Sequence, residues 1–240
     1  MNVRKLLARL NPKAMPWPEK RGALPVRSAD PITNEDVIGA LGMVKHRLGR
    51  EVLCHMWWPD GARLSVRELR DLVAAATRAE HQRRAVQLEL ARLELLVDRE
   101  TMVDANNITP EHRARILRGE ARVEACKSLS FPPVPEMRVA VREAVLDELL
   151  HPHRCHQCEG MGEIPATANQ PARVCEHCGG RAIIPISDRQ RGERIGRDES
   201  VYRRMWRPLY EWTYDTLVAA ENEAANEMAK YLRSERERVA

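Results

Sequence analysis

The stretch CHQCEGMGEIPATANQPARVCEHCGG, residues 155–180, decides how the rest of the chain is read. It holds two CxxC pairs, Cys155/Cys158 and Cys175/Cys178, separated by sixteen residues. A CxxC places two sulfurs on one tight loop, and two such loops supply the four thiolates of a tetrahedral structural zinc site. Gly160, Gly162, Gly179 and Gly180 let the backbone turn sharply after each pair. A redox motif needs one pair in a βαβ setting, which is missing here. A complete thiolate set leaves no open coordination position, so the metal is expected to be structural. His151, His153, His156 and His177 read as surface residues, and Cys54 and Cys126 as ordinary helix residues.

Downstream, the stretch SDRQRGERIGRDESVYRRMW, residues 187–206, reads as helix–turn–helix. Ser187 and Gln190 form a capping-box pattern. Gly192 supplies a small residue where the helices meet, and Gly196 suits a turn with positive φ. The second helix starts near Asp198 or Glu199, with Val201, Tyr202, Met205, Leu209 and Trp212 as its expected core face. The other side carries Glu199, Ser200, Arg203, Arg204 and Arg207, with Arg197 in the turn. Arginine can pair bidentately with guanine in a major groove, so these six are the candidate DNA contacts. Arg197 stands where such turns usually carry an apolar residue, and Pro208 is expected to bend the helix.

Upstream the chain reads as helical. Thr33 or Asn34 caps a helix with Val37, Leu41, Val44 and Leu48 in register. Pro59-Asp60-Gly61 marks a turn. Ser65 and Glu68 form a second capping box, opening residues 65–99 as one long helix or a hairpin. Val66, Leu69, Val73 and Ala76, then Val86, Leu90, Leu93 and Val97, mark its apolar face. Asn106-Asn107 closes it, and Pro110 opens another helix. Phe131 to Pro135 is an extended break, and residues 136–150 are helical to His151-Pro152. No sustained strand alternation occurs; the run from Ala182 to Ile186 is the best strand candidate.

The fold class expected is therefore mostly α: a helical bundle with an arm, an inserted four-cysteine zinc finger and a helix-turn-helix-like DNA-binding unit. Four segments follow: a basic Pro-rich flexible tail (1–31), a helical body with long arm helices (32–150), the zinc module (151–186), and the helix-turn-helix unit with a C-terminal helix (187–240). The chain of 240 residues carries a net charge of +4 and 31% charged residues, which suits long solvated helices. Residues 1–27 carry seven Lys or Arg against Glu19 alone. No run is apolar enough to span a membrane, and no signal peptide is evident. A cytoplasmic location is expected, where paired cysteines bind metal rather than form disulfides. No catalytic constellation or phosphate-cradling glycine loop is present, so no enzymatic activity and no small-molecule substrate are expected.

Zinc knuckles, a basic helix pair and then RPLYEWTYDTLV resemble the late-gene antitermination protein Q family of lambdoid bacteriophages. DVIGALGMVKHRLG resembles the first helix of that family, and the likeness covers most of residues 33–232. The resemblance implies a factor that binds a promoter-proximal DNA element and loads onto paused RNA polymerase while the sigma subunit is still engaged. It then makes the polymerase read through the terminators of late genes. The partners implied are double-stranded DNA, the polymerase flap and sigma, with nascent RNA as a further candidate for the basic tail. The residues alone also fit a zinc-containing DNA-binding regulator without antitermination. A J-type cochaperone shares the CxxCxGxG pattern but carries four knuckles and an HPD tripeptide; here His153 follows His151-Pro152.

Overall fold

The computed structural model describes residues 3–11, 32–100, 109–158, 162–164, 171–180 and 183–239, without side chains beyond 234. Readings made on Pro12 to Pro31, Asn106-Asn107, Gly160 and Ala182 fall outside these residues.

The described chain is mostly helical, in the order α1 (Val3–Leu10), α2 (Asn34–Gly42), α3 (Arg47–Trp57), α4 (Val66–Glu100), α5 (Pro110–Leu129) and α6 (Pro135–Leu150). Two short strands, β1 (Glu163–Ile164) and β2 (Arg173–Val174), pair antiparallel within the cysteine segment. Next come α7 (Asp188–Arg194), α8 (Glu199–Val201), a π-helical turn (Tyr202–Trp206) and α9 (Arg207–Val239). No helix is long and apolar enough to cross a membrane among the described residues.

The long α9 runs through two cores. Its first half packs Leu209, Tyr210 and Leu217 against Leu69 and Val73 of α4 and Val141, Val145 and Leu149 of α6. Its second half packs Ala224, Met228 and Leu232 against α1, α2 and α3 through Leu7, Val37, Leu41 and Leu53. α3 touches both cores, with Val52 in one and Leu53 in the other. Buried Glu221 of α9 ties the ends together. It accepts from Arg4 Nε at 2.8 Å and Nη2 at 2.6 Å, and from Trp57 Nε1 at 3.2 Å.

Several expectations change here. Residues 3–10, placed in a flexible tail where Leu6, Leu7 and Leu10 suit no more than a short turn of helix, form an eight-residue helix that buries Val3 and Leu7. Three apolar side chains on one face and the Arg4–Glu221 pair dock it. The segment 33–57 is two helices, not one continuous pattern. Thr33 and Asp36 close a capping box at the first, and His46 Nδ1 accepts from Gly49 N at 2.9 Å to start the second. The run ending at Ile186 makes only an isolated bridge, Arg154 to Ile183, among its described residues. Ile184 instead packs on the cysteines.

The 65–99 segment is one helix. Ser65 and Glu68 bond reciprocally at its start. α5 folds back along its distal half, with Gly119 against Leu95. Ion pairs Arg99–Glu120, Arg115–Asp98 and Arg122–Glu94 stitch this arm. Its root is fixed by Arg84, whose guanidinium lies 4.1 Å from the Phe131 ring centroid and donates to Leu129 O at 2.6 Å.

A tetrathiolate cluster beside an arginine-bearing helix pair

Each CxxC pair sits in a tight turn, so that all four Sγ atoms converge within 4.8 Å of one another. Cys155 and Cys175 Sγ are 3.8 Å apart, and Cys158 and Cys178 Sγ 3.7 Å apart. Zinc–sulfur bonds of about 2.3 Å in a tetrahedron separate sulfurs by about 3.8 Å, so the cluster has the dimensions of a closed tetrathiolate metal site. All four cysteines are buried. Gly162 N donates to Cys158 Sγ at 3.2 Å, and Cys175 N to Gly162 O at 2.9 Å. Burial and the three neighbouring thiols, offset in part by Gly162 N–H, push the Cys158 thiol up to about 11. His156 and His177 stay outside the cluster, exposed, with ring centroids 4.7 Å apart.

The two ends of the module are tied to each other. His151 follows α6, and Ile184 N donates to His153 O at 2.8 Å before the chain enters α7. Ser187 and Gln190 close the capping box of α7, as their spacing requires. The turn to α8 is tight. Arg197 N donates to Gly192 O at 2.9 Å, and a Cβ on Gly192 would lie 2.8 Å from Arg197 O. Gly196 sits at φ +69°, a conformation that costs an L side chain about 1–2 kcal/mol. The apolar anchor of this turn is buried Ile195, one position before the glycine rather than after it. Asp198 caps the next helix, accepting from Val201 N at 2.9 Å.

The core face of that helix differs from the expected one. Met205 is exposed, and Trp206 is buried in its place. The reason is Pro208, which has no N–H and whose ring would collide with the carbonyl of Arg204 in a regular helix. The chain widens one turn instead. Arg207 N bonds to Tyr202 O, five residues back, and Tyr202, Trp206 and Tyr210 then face inward together. A recurrence of aromatics at every fourth position was the available signal.

Among them lies a polar clamp that sequence reasoning missed. Arg191 of α7 reaches Glu148 of α6 through Nη2 at 2.7 Å and Nε at 3.1 Å, and Tyr210 OH donates to Glu148 Oε2 at 2.7 Å. The guanidinium lies 4.8 Å from the Tyr210 ring centroid. Burial works against its charge, but the Glu148 bonds outweigh this and hold Arg191 above its ordinary range. Burial likewise pushes the Tyr202 phenol up to about 12. A buried pair of this kind fixes geometry more than it adds stability. It locks α7 and α9 onto α6.

The opposite face is open. Glu199, Ser200, Arg203 and Arg204 line a surface depression. Arg203 pairs with Asp188 at 2.9 Å and Glu199 at 2.5 Å; Arg207 pairs with Glu211 at 2.7 Å. Ser200 Oγ donates to Asp198 at 2.7 Å. Arg204 is exposed and has no ion-pair partner among the described residues. Arg197 is also exposed but points elsewhere, its Nη2 3.6 Å from Met137 Sδ. The helix therefore gathers five of the six candidate contacts, and Arg197 stands apart. Asp188, not singled out from sequence, sets the orientation of Arg203. Exposed pairs of this sort are worth about 0–1 kcal/mol, so a phosphate can displace the acid.

No family model, no curated protein and no solved structure matches this chain.

Proposed function

We propose that this chain is a DNA-binding transcription factor in which a zinc ion, held by Cys155, Cys158, Cys175 and Cys178, braces a helix-turn-helix unit. The observation that carries the reading is the two-sidedness of residues 199–210. Tyr202, Trp206 and Tyr210 are locked inward by the core and the Glu148–Arg191 clamp, while Ser200, Arg203, Arg204 and Arg207 face solvent. A rigid helix offering arginines on one face is what base-edge readout in a major groove needs. The cation would supply charge balance for the thiolates and a fixed link between α6 and α7. It acts as scaffold, so the proposed role is binding rather than catalysis.

The finer reading is antitermination in the manner of the lambdoid Q proteins, with RNA polymerase and sigma as partners in the bacterial cytoplasm. Its support is the resemblance of residues 33–49, 155–180 and 200–218 to that family.

Two experiments separate these levels. Duplexes selected from a random pool by the zinc-loaded chain should lose about 1–3 kcal/mol of affinity on Arg204→Ala, at fixed salt. A selection that enriches no sequence sinks DNA recognition altogether. Transcription past an intrinsic terminator, with the selected element placed beside the promoter, tests the second level. Readthrough far downstream supports antitermination; promoter occlusion alone leaves a plain regulator.

A further inference from the structure

We infer that the distal arm is a self-association surface, on which α4 of a second copy of this chain packs antiparallel. Val86, Leu90, Leu93 and Val97 recur at steps of four, three and four residues along α4. That alternation of four and three is the spacing at the seam of one helix packed on another. α5 does not cover it, because α5 lies against the other side of α4, where Ala91 is buried and Leu95 meets Gly119. The four seam residues, with Leu96 on their border, are between 50% and 58% exposed. Together they leave an apolar strip on the order of 400 Å² along α4, a size at which exposed patches mark interaction sites.

Two features select a second copy, and its direction, as the occupant. The seam is palindromic: Val, Leu, Leu, Val reads the same in either direction. Turned about a two-fold axis near residues 91 and 92, Leu90 meets Leu93 of the other copy and Val86 meets Val97. This is the self-complementarity that an isologous interface demands. The border charges obey the same symmetry. Glu89 and Arg92, which bond to each other at 2.7 Å within one helix, lie on one border of the seam. Across the axis each comes within side-chain reach of the opposite charge on the other copy. Glu94, on the other border, would face Gln87. A parallel pairing would instead set Glu89 against Glu94 of the second helix at both flanks, a like-charge arrangement.

The test is the mass of the full, zinc-loaded chain in solution, by light scattering or sedimentation equilibrium across a concentration series. The native chain should approach twice 27.5 kDa, and Leu90→Glu with Leu93→Glu should remain at 27.5 kDa with unchanged helical circular dichroism. Charge reversal then reports direction. Glu89→Arg alone and Arg92→Glu alone should each weaken the dimer about tenfold, and the double reversal should restore it. A native chain that stays monomeric at its highest soluble concentration overturns the proposal and leaves the face to a different protein. Tighter dimerisation by Glu89→Arg overturns the antiparallel arrangement.

Discussion

Two regions of this protein have no hydrophobic core of their own, and they are held together by different means. In the cysteine module the buried cluster is the four thiols, with Ile164 and Ile184 partly buried beside them. Its sheet has two strands of two residues each, too little to stand alone. In the distal arm, α5 buries no residue and α4 beyond Thr77 buries only Ala91. The module concentrates its buried side chains at one point, where four thiols with the spacing of a metal site stand in place of a core. The arm spreads its stabilisation along a helix pair and keeps a row of leucines outside. A segment short of apolar burial must borrow stability: the arm takes it from a neighbouring helix, and the module, on the proposed reading, from an ion.

The largest effect expected on this contrast comes from the metal. Chelation, or Cys175→Ser, should remove metal-binding free energy of about 10 kcal/mol or more. Zinc per chain should fall from one to none, and residues 151–186 should become open to protease while the helical signal of the body persists. Collapse of the whole helical signal would show that the module holds the body rather than the reverse.

The arm gives a smaller and more local contrast along α4. Leu69 and Leu93 share a helix and a periodic pattern, but Leu69 is fully buried and Leu93 is not. Leu69→Ala should destabilise by about 2–5 kcal/mol, whereas Leu93→Ala should stay within about 0.5 kcal/mol in the monomer. Urea melts of the two variants at low protein concentration check this. Comparable losses would mean that Leu93 has a partner even there.

The smallest effect is electrostatic and sits at the arm root. Hydrogen bonds from Arg83 and then Arg84 hold the Glu80 carboxyl down at about 2, against burial that works the other way. A carboxyl depressed on folding lends stability that is complete above its unfolded value of 4.5 and is lost as pH falls from there towards about 2. Glu80→Gln should flatten the acid limb of the stability curve by less than about 1 kcal/mol, because Arg83 is solvent-exposed. An unchanged limb would remove Glu80 from the account.

Much of this was legible in the residues. Cys155, Cys158, Cys175 and Cys178 stand at ligand spacing, and local spacing suffices to bring sulfurs together. The capping boxes at Thr33, Ser65 and Ser187 and the glycine turn at Gly196 act within a few residues, so they too are written in order along the chain. The π-helical turn was not anticipated, although Pro208 marked the place, because relief of the clash by bending or by widening depends on what packs beneath. Tyr202, Trp206 and Tyr210 settle it by facing one core.

What the sequence determined by itself were the features governed by near neighbours: helix starts, the thiolate set, and which side chains share a face. The tertiary structure decided which of those faces are covered. It joined Glu148 to Arg191 across 43 residues and Arg4 to Glu221 across 217, and it buried Leu69 while leaving Leu93 outside. Helical periodicity is a property of the local backbone. Burial is a property of what the rest of the chain brings near, and no pattern along one helix encodes that.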